Sequence, residues 1–221
     1  MFVVCVRIYI QHTRDSHLYT HILQFVQIDH SAAAAMVIAG DDSNHGVDDA
    51  RIARIAAAIT VFPGFPKPGI SFQDVTGIFH KPEVFRDAIG LFVERYKGKG
   101  VTLVAGIEAR GFFFAPTIAL EVGAKFVPLR KPRKLPGDLK EYSLEYGTDK
   151  IEMQIGAVEP NDRAIIVDDL IATGGTLCAA VKLLERAGAE VVECSCVVEL
   201  QELKGREKLG KIPVFVLVET N

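Results

Sequence analysis

The chain is predicted to fold as an α/β protein with a parallel core sheet covered by helices on both faces. Three observations carry that expectation. Runs such as "VTLVAGI", "RAIIVDDL" and "PVFVLV" are almost continuously apolar, as strands buried on both faces are. Segments with apolar residues at helical spacing stand between those runs, and strand–helix alternation is satisfied by a parallel sheet. The 221 residues, 49% hydrophobic and 24% charged, suffice for one sizeable core, being near the roughly 100–200 residues usual for a domain.

Taken in order, Met1 to Ala35 shows no sustained period and has Arg7 and Arg14 as its cations. "MFVVCVRIYI" is too short to span a bilayer, which needs about 20 apolar residues. Residues 1–47 are read as an extension and linker, either disordered or a targeting segment, and residues 48–221 as the domain. Asp48 or Asp49 is placed to cap a helix whose Ile52, Ile55 and Ile59 share one face. "FPGFPKPGISF" reads as a proline-punctuated loop, since Pro63, Pro66 and Pro68 remove backbone donors. Pro82 opens a helix carrying Phe85, Ile89, Phe92 and Tyr96 on one face.

A strand over "VTLVAGI" precedes a helix over "GFFFAPTIALEVG" closed by Gly123, then a strand over "KFVPLR". From Lys131 to Ile155 the pattern breaks into a basic loop and two short alternating runs, as in a long loop leading to a hairpin. "RAIIVDDL" follows as a strand, then a helix from Thr176 to Ala187 with Gly188 at its end, and strands over "EVVECSCVVEL" and "PVFVLV".

The totals exclude some functions. A net charge of −3 without tryptophan argues against a nucleic-acid surface, which shows as a basic stripe with aromatics. Cys5, Cys178, Cys194 and Cys196 lack C-x-x-C spacing and read as buried thiols in a reducing compartment. All histidines but His80 precede the globular pattern, so a zinc site or histidine catalysis is not expected.

"AIIVDDLIATGGT", Ala164 to Thr176, puts two carboxylates at the end of a strand, directly before a glycine turn that opens a helix. Ligands of open parallel sheets sit beyond the carboxyl ends of strands. Gly174 and Gly175 can bring backbone N–H groups to a phosphate near the positive end of the helix dipole, and Thr173 and Thr176 add hydroxyl donors. The P-loop lysine and the G-x-G-x-x-G spacing are both missing, which leaves a monophosphate cup. Asp168 and Asp169 repel a bare phosphate but accept hydrogen bonds well from vicinal ribose hydroxyls. A sugar phosphate satisfies both halves of the motif; a purely structural strand–loop–helix joint is the plainer alternative.

The stretch is similar to the phosphoribosyl-diphosphate motif of type I phosphoribosyltransferases. With "FPKPGISFQD", "EARGF", "RKPRKLPG", "YSLEYG" and "ELKGREKL" beside it, the chain from about Asp48 to Val218 resembles the adenine branch of that family, in its plant-like form. The resemblance implies the type I phosphoribosyltransferase fold, with a parallel core sheet, a small hood around Phe62 to Asp74 and a flexible loop and hairpin. It implies transfer of a phosphoribosyl group from 5-phosphoribosyl 1-diphosphate to adenine, with magnesium held mainly through the substrate and no direct protein ligand.

By the same resemblance Glu145 is the catalytic carboxylate. Arg110, Arg130, Lys131, Lys134, Asp168, Asp169, Ala172, Thr173, Gly174, Gly175 and Thr176 bind the phosphoribosyl donor. Ser71, Phe72 and Arg110 meet adenine, and the Glu108–Ala109 peptide is cis. Gln73 and Gly64 depart from the residues many members carry there, arginine and aspartate. A cytoplasmic homodimer with "EARGF" near its interface is expected, with no nucleic acid or membrane as partner. The rivals are transfer to another 6-substituted purine and a non-catalytic purine-sensing regulator; the latter needs a basic helix-turn-helix that Met1 to Gly46 does not supply.

Overall fold

The computed structural model describes residues 45–136, 143–146 and 149–220, with side chains for 50–136 and 150–220. Helix α1 (His45–Ala56) leads into strands β1 (Thr60–Pro63) and β2 (Ser71–Asp74), then helix α2 (Pro82–Tyr96). Strand β3 (Leu103–Ile107), helix α3 (Gly111–Val122) and strand β4 (Lys125–Leu129) follow, then a hairpin of β5 (Ser143–Tyr146) and β6 (Asp149–Glu152). The chain continues through β7 (Arg163–Ile171), α4 (Gly175–Arg186), β8 (Glu190–Leu200), the short α5 (Gly205–Leu209) and β9 (Val214–Thr220).

The core is one five-stranded sheet in the order β4-β3-β7-β8-β9, and each neighbouring pair is parallel. Alternation along a strand divides its side chains between two faces. Val104, Ile165, Val167 and Val197 turn to a core shared with α1, α2 and α3. Leu103, Ala105, Ile107, Ile166, Cys194 and Cys196 turn to a second core shared with α4, Ile151 of β6, Met153 just after it, and Leu209 of α5. Both faces are therefore covered, as the apolar strand runs predicted. Cys178, Cys194 and Cys196 are free and buried, and burial pushes the Cys194 and Cys196 thiols up, which leaves them inert. Cys5 lies outside the described residues.

Most elements fall where the sequence predicts, and the differences have local causes. Pro82 does open α2, and Gly123, with φ of 75°, closes α3. Helix α1 starts at His45, so Asp48 and Asp49 fall inside it, as its fourth and fifth residues, instead of capping it. Ile59 lies past its end yet is buried with Ile55. The proline-punctuated loop is in part a hairpin: β1 and β2 pair antiparallel, Pro63 opposite Ser71. A proline is tolerated there because a two-stranded ribbon is all edge. The linker reading of residues 1–44 lies outside the described residues.

Candidate active site

Strand register assembles the site. Ile107 is paired with Leu129 and Gly106 with Val167, so the segments after β3 and β4 and the end of β7 emerge side by side. At Gly111 an added Cβ would lie 2.5 Å from the Val167 carbonyl oxygen, so only glycine lets the start of α3 press onto β7. That contact sets Arg110 against Asp169, to which its Nε donates. The Arg110 guanidinium carbon also lies 5.5 Å from the centre of the Phe72 ring, within cation–π range, and Phe65 meets Phe72 edge-on at 5.3 Å. Arg110 thereby links the sheet edge to the hood.

A cleft of about 370 Å³ opens between these segments. Arg110, Lys131, Asp168, Asp169 and the whole turn from Ala172 to Thr176 line it. Gly174 takes φ of 73° and precedes the first residue of α4 without a side-chain cap. The first N–H groups of a helix have no intrahelical acceptor, so the turn presents donors at the positive end of the α4 dipole.

The paired aspartates are not equivalent. Asp169 is 5% exposed and held by Arg110. Asp168 is half-buried, and its Oδ1 accepts from the Asp169 N–H at 2.9 Å. Burial, followed by the Asp169 charge beside it, pushes the Asp168 carboxyl well above the usual carboxylate range. Asp168 is thus the carboxylate whose charge a ligand hydroxyl or cation would stabilise.

The other expected residues, Arg130, Lys134, Ser71, Phe72 and Glu145, are not among the described residues that line the cleft. Arg130 does not line the cleft directly; it forks onto Glu108, Nε to Oε2 at 3.2 Å and Nη2 to Oε1 at 3.4 Å. It also donates to the Lys134 carbonyl at 3.1 Å, while the Lys134 side chain is exposed. Ser71 is exposed at the start of β2 and Phe72 is half-buried beside it. Glu145 is in β5 opposite Lys150 of β6; its side chain lies outside the described residues. The Glu108–Ala109 peptide is cis, as the resemblance implied, and so is Phe65–Pro66. Gln73 is buried, and its Oε1 has no hydrogen-bond partner among the described residues.

Glu108 is the site residue that sequence reasoning passed over. It lines the cleft and accepts from the Lys131 N–H at 3.0 Å besides binding Arg130. Burial works to raise its carboxyl, but the Arg130 guanidinium and the Lys131 N–H outweigh burial and hold it below the usual range. Its signal was opposite charges one residue beyond two strand ends, meaningful once β3 and β4 are known to be neighbours.

A carboxylate pair, a glycine turn at a helix N-terminus and flanking cations at the carboxyl edge of a parallel sheet define a phosphoribosyltransferase of the α/β class. A model of the phosphoribosyl transferase domain matches residues 74–220. The chain is 68% identical over 175 residues to adenine phosphoribosyltransferase 1 of Triticum aestivum, covering 78% of this chain and 97% of the wheat protein. It is 65% identical over 176 residues to the chloroplastic adenine phosphoribosyltransferase 1 of Arabidopsis thaliana, covering 79% of this chain and 72% of that one. Its fold is similar, with a TM-score of 0.71 and 40% identity, to the Saccharomyces cerevisiae adenine phosphoribosyltransferase complexed with an imino-altritol bisphosphate and adenine, covering 76% of this chain and 99% of that one. The chain belongs to the adenine phosphoribosyltransferases.

Proposed function

We propose that the protein carries out purine salvage, moving the 5-phosphoribosyl group from 5-phosphoribosyl 1-diphosphate onto adenine to give AMP and diphosphate. The observation that carries this reading is the convergence of Asp168, Asp169, the Ala172–Thr176 turn, Arg110 and Lys131 on one cleft. The turn receives the 5-phosphate through backbone N–H groups and the hydroxyls of Thr173 and Thr176, and Asp168 accepts from the ribose hydroxyls. Lys131 and Arg130, with Lys134 beside them, face the diphosphate end, where preorganised cations stabilise the departing charge. Phe72 stacks on the purine, with Ser71 and Arg110 at its edge, and Glu145 holds the ring proton of adenine as the glycosidic nitrogen attacks.

The donor set suits magnesium as a visitor rather than a resident. Asp168 offers hard carboxylate oxygen, Asp169 is committed to Arg110, and among the described residues no three His, Cys, Asp or Glu side chains cluster for a metal. Magnesium keeps waters and takes most of its ligands from phosphate oxygens; when bound with substrate it neutralises diphosphate charge. Asp168 would be the residue nearest to hold it.

A homodimer fits the exposed apolar side chains of α3, where Phe113 is 50% and Leu120 79% exposed. No described helix is long and apolar enough to cross a membrane. We place the enzyme in the cytoplasm, with residues 1–35 as the alternative organelle address, since one relative is named chloroplastic. Incubating labelled adenine with 5-phosphoribosyl 1-diphosphate and magnesium is expected to give labelled AMP, with hypoxanthine turned over far more slowly. No labelled AMP, or equal use of hypoxanthine, would refute the assignment.

A further inference from the structure

The "ELKGREKL" motif has no part in the chemistry above, yet it stands directly behind the phosphate turn. Gly205 is buried at the start of α5. A Cβ there would fall 2.4 Å from the Ala172 carbonyl oxygen, 2.7 Å from Ile171 Cγ1 and 3.1 Å from the Gly174 nitrogen. The contact is mutual, because a Cβ on Gly174 would fall 2.3 Å from the Gly205 carbonyl oxygen. Two backbones thus meet where neither can carry a side chain, and one of them is the turn itself.

The neighbouring residue anchors this contact. Glu199 and Glu219 are paired across β8 and β9, an arrangement of like charges that needs a cation. Arg206 supplies it: its Nε lies 2.7 Å and its Nη2 2.5 Å from Glu199 Oε2, and Nη2 is 3.5 Å from Glu219 Oε1. Arg206 Nη1 also donates to the Val214 carbonyl at 2.6 Å. Glu199 is 4% exposed, so the acidic side of this contact is shielded from water, while the Arg206 side chain stays 41% exposed. Strand ends of the rigid sheet therefore fix Arg206, and Arg206 fixes Gly205 against the turn.

We propose that Lys204–Arg206 is the positioning element of the phosphate turn, with Gly205 as the surface on which the turn rests and Arg206 as its tether. Neither residue touches substrate; both act through the backbone of Ala172 to Gly174. The inference rests on the reading that this turn takes the 5-phosphate. Displacing donors by a fraction of an ångström weakens binding of the group they hold while leaving adenine recognition, at the hood, in place.

The test compares wild type, Gly205→Ala and Arg206→Lys by calorimetric titration with ribose 5-phosphate and by steady-state kinetics, after circular dichroism and melting have established folding. Gly205→Ala is expected to raise the KM for 5-phosphoribosyl 1-diphosphate and the Kd for ribose 5-phosphate by about ten- to a hundredfold. The KM for adenine should stay within about twofold, a split that mere loss of folded enzyme does not produce. Arg206→Lys keeps the charge but loses the fork and is expected to show the same split, more weakly. Wild-type affinity for ribose 5-phosphate in the folded variants overturns the proposal. Should Gly205→Ala not fold, Arg206→Lys decides alone by the same criterion. Failure of the wild type itself to bind ribose 5-phosphate would bring down the functional reading and this proposal together; normal wild-type binding with unaffected variants brings down only the proposal.

Discussion

The two adjacent aspartates show how environment separates identical side chains. Asp169 is compensated by Arg110, whereas Asp168 carries a carboxyl raised by burial and by its neighbour. An acid whose folded pKa exceeds its unfolded value binds protons more tightly in the native state, so its contribution is full below the unfolded value and is lost as pH rises through the folded one. Asp168→Asn is therefore expected to melt above wild type at neutral pH, by roughly 2–4 °C for each kcal/mol relieved in a chain of this size. The difference should shrink towards acid, and AMP affinity should fall. A melting temperature below wild type at pH 8 would contradict the argument. Glu145→Leu is expected to lower turnover far more than binding of 5-phosphoribosyl 1-diphosphate, measured by single-turnover kinetics beside titration; unchanged turnover removes the role assigned to Glu145. Residue types at "VDDLIATGGT" were legible in sequence. Which aspartate Arg110 would neutralise was not, because that depends on the close approach of Gly111 to β7.

Among the elements, α3 bears more than its own packing. It carries Arg110 at its N-terminus and inserts Phe114, fully buried, between Phe79 at 5.1 Å, Phe85 at 5.9 Å and Phe92 at 6.4 Å. Phe114→Ala removes the ring all three contact and is expected to destabilise the fold by about 3–5 kcal/mol, read from urea unfolding. A cost under about 1 kcal/mol would mean the cluster refills the space. The apolar spacing of "GFFFAPTIALEVG" and its closing glycine made the helix readable. The five-residue α5 was not, since so short a segment holds no period, and Lys204, with φ of 50° just before it, follows no preference a lysine declares.

For the whole molecule, the exposed Leu120 and Phe113 leave α3 with an apolar outer surface beside the site. Leu120→Glu is expected to weaken self-association by about tenfold or more, since a charge in the centre of an apolar contact is poorly compensated; sedimentation at several concentrations measures it. Unchanged mass, or a wild type that is already monomeric, would remove the proposed dimer contact from α3. By itself the sequence determined the α/β class, the strand runs and the place of the glycine turn before a helix, because apolar period, caps and turn residues are local properties. The tertiary structure alone decided that β3 lies between β4 and β7, that Glu108 takes Arg130, and that Gly205 supports Gly174. Those pairings join residues 22 and more apart, and no local preference encodes which distant backbone a residue will meet.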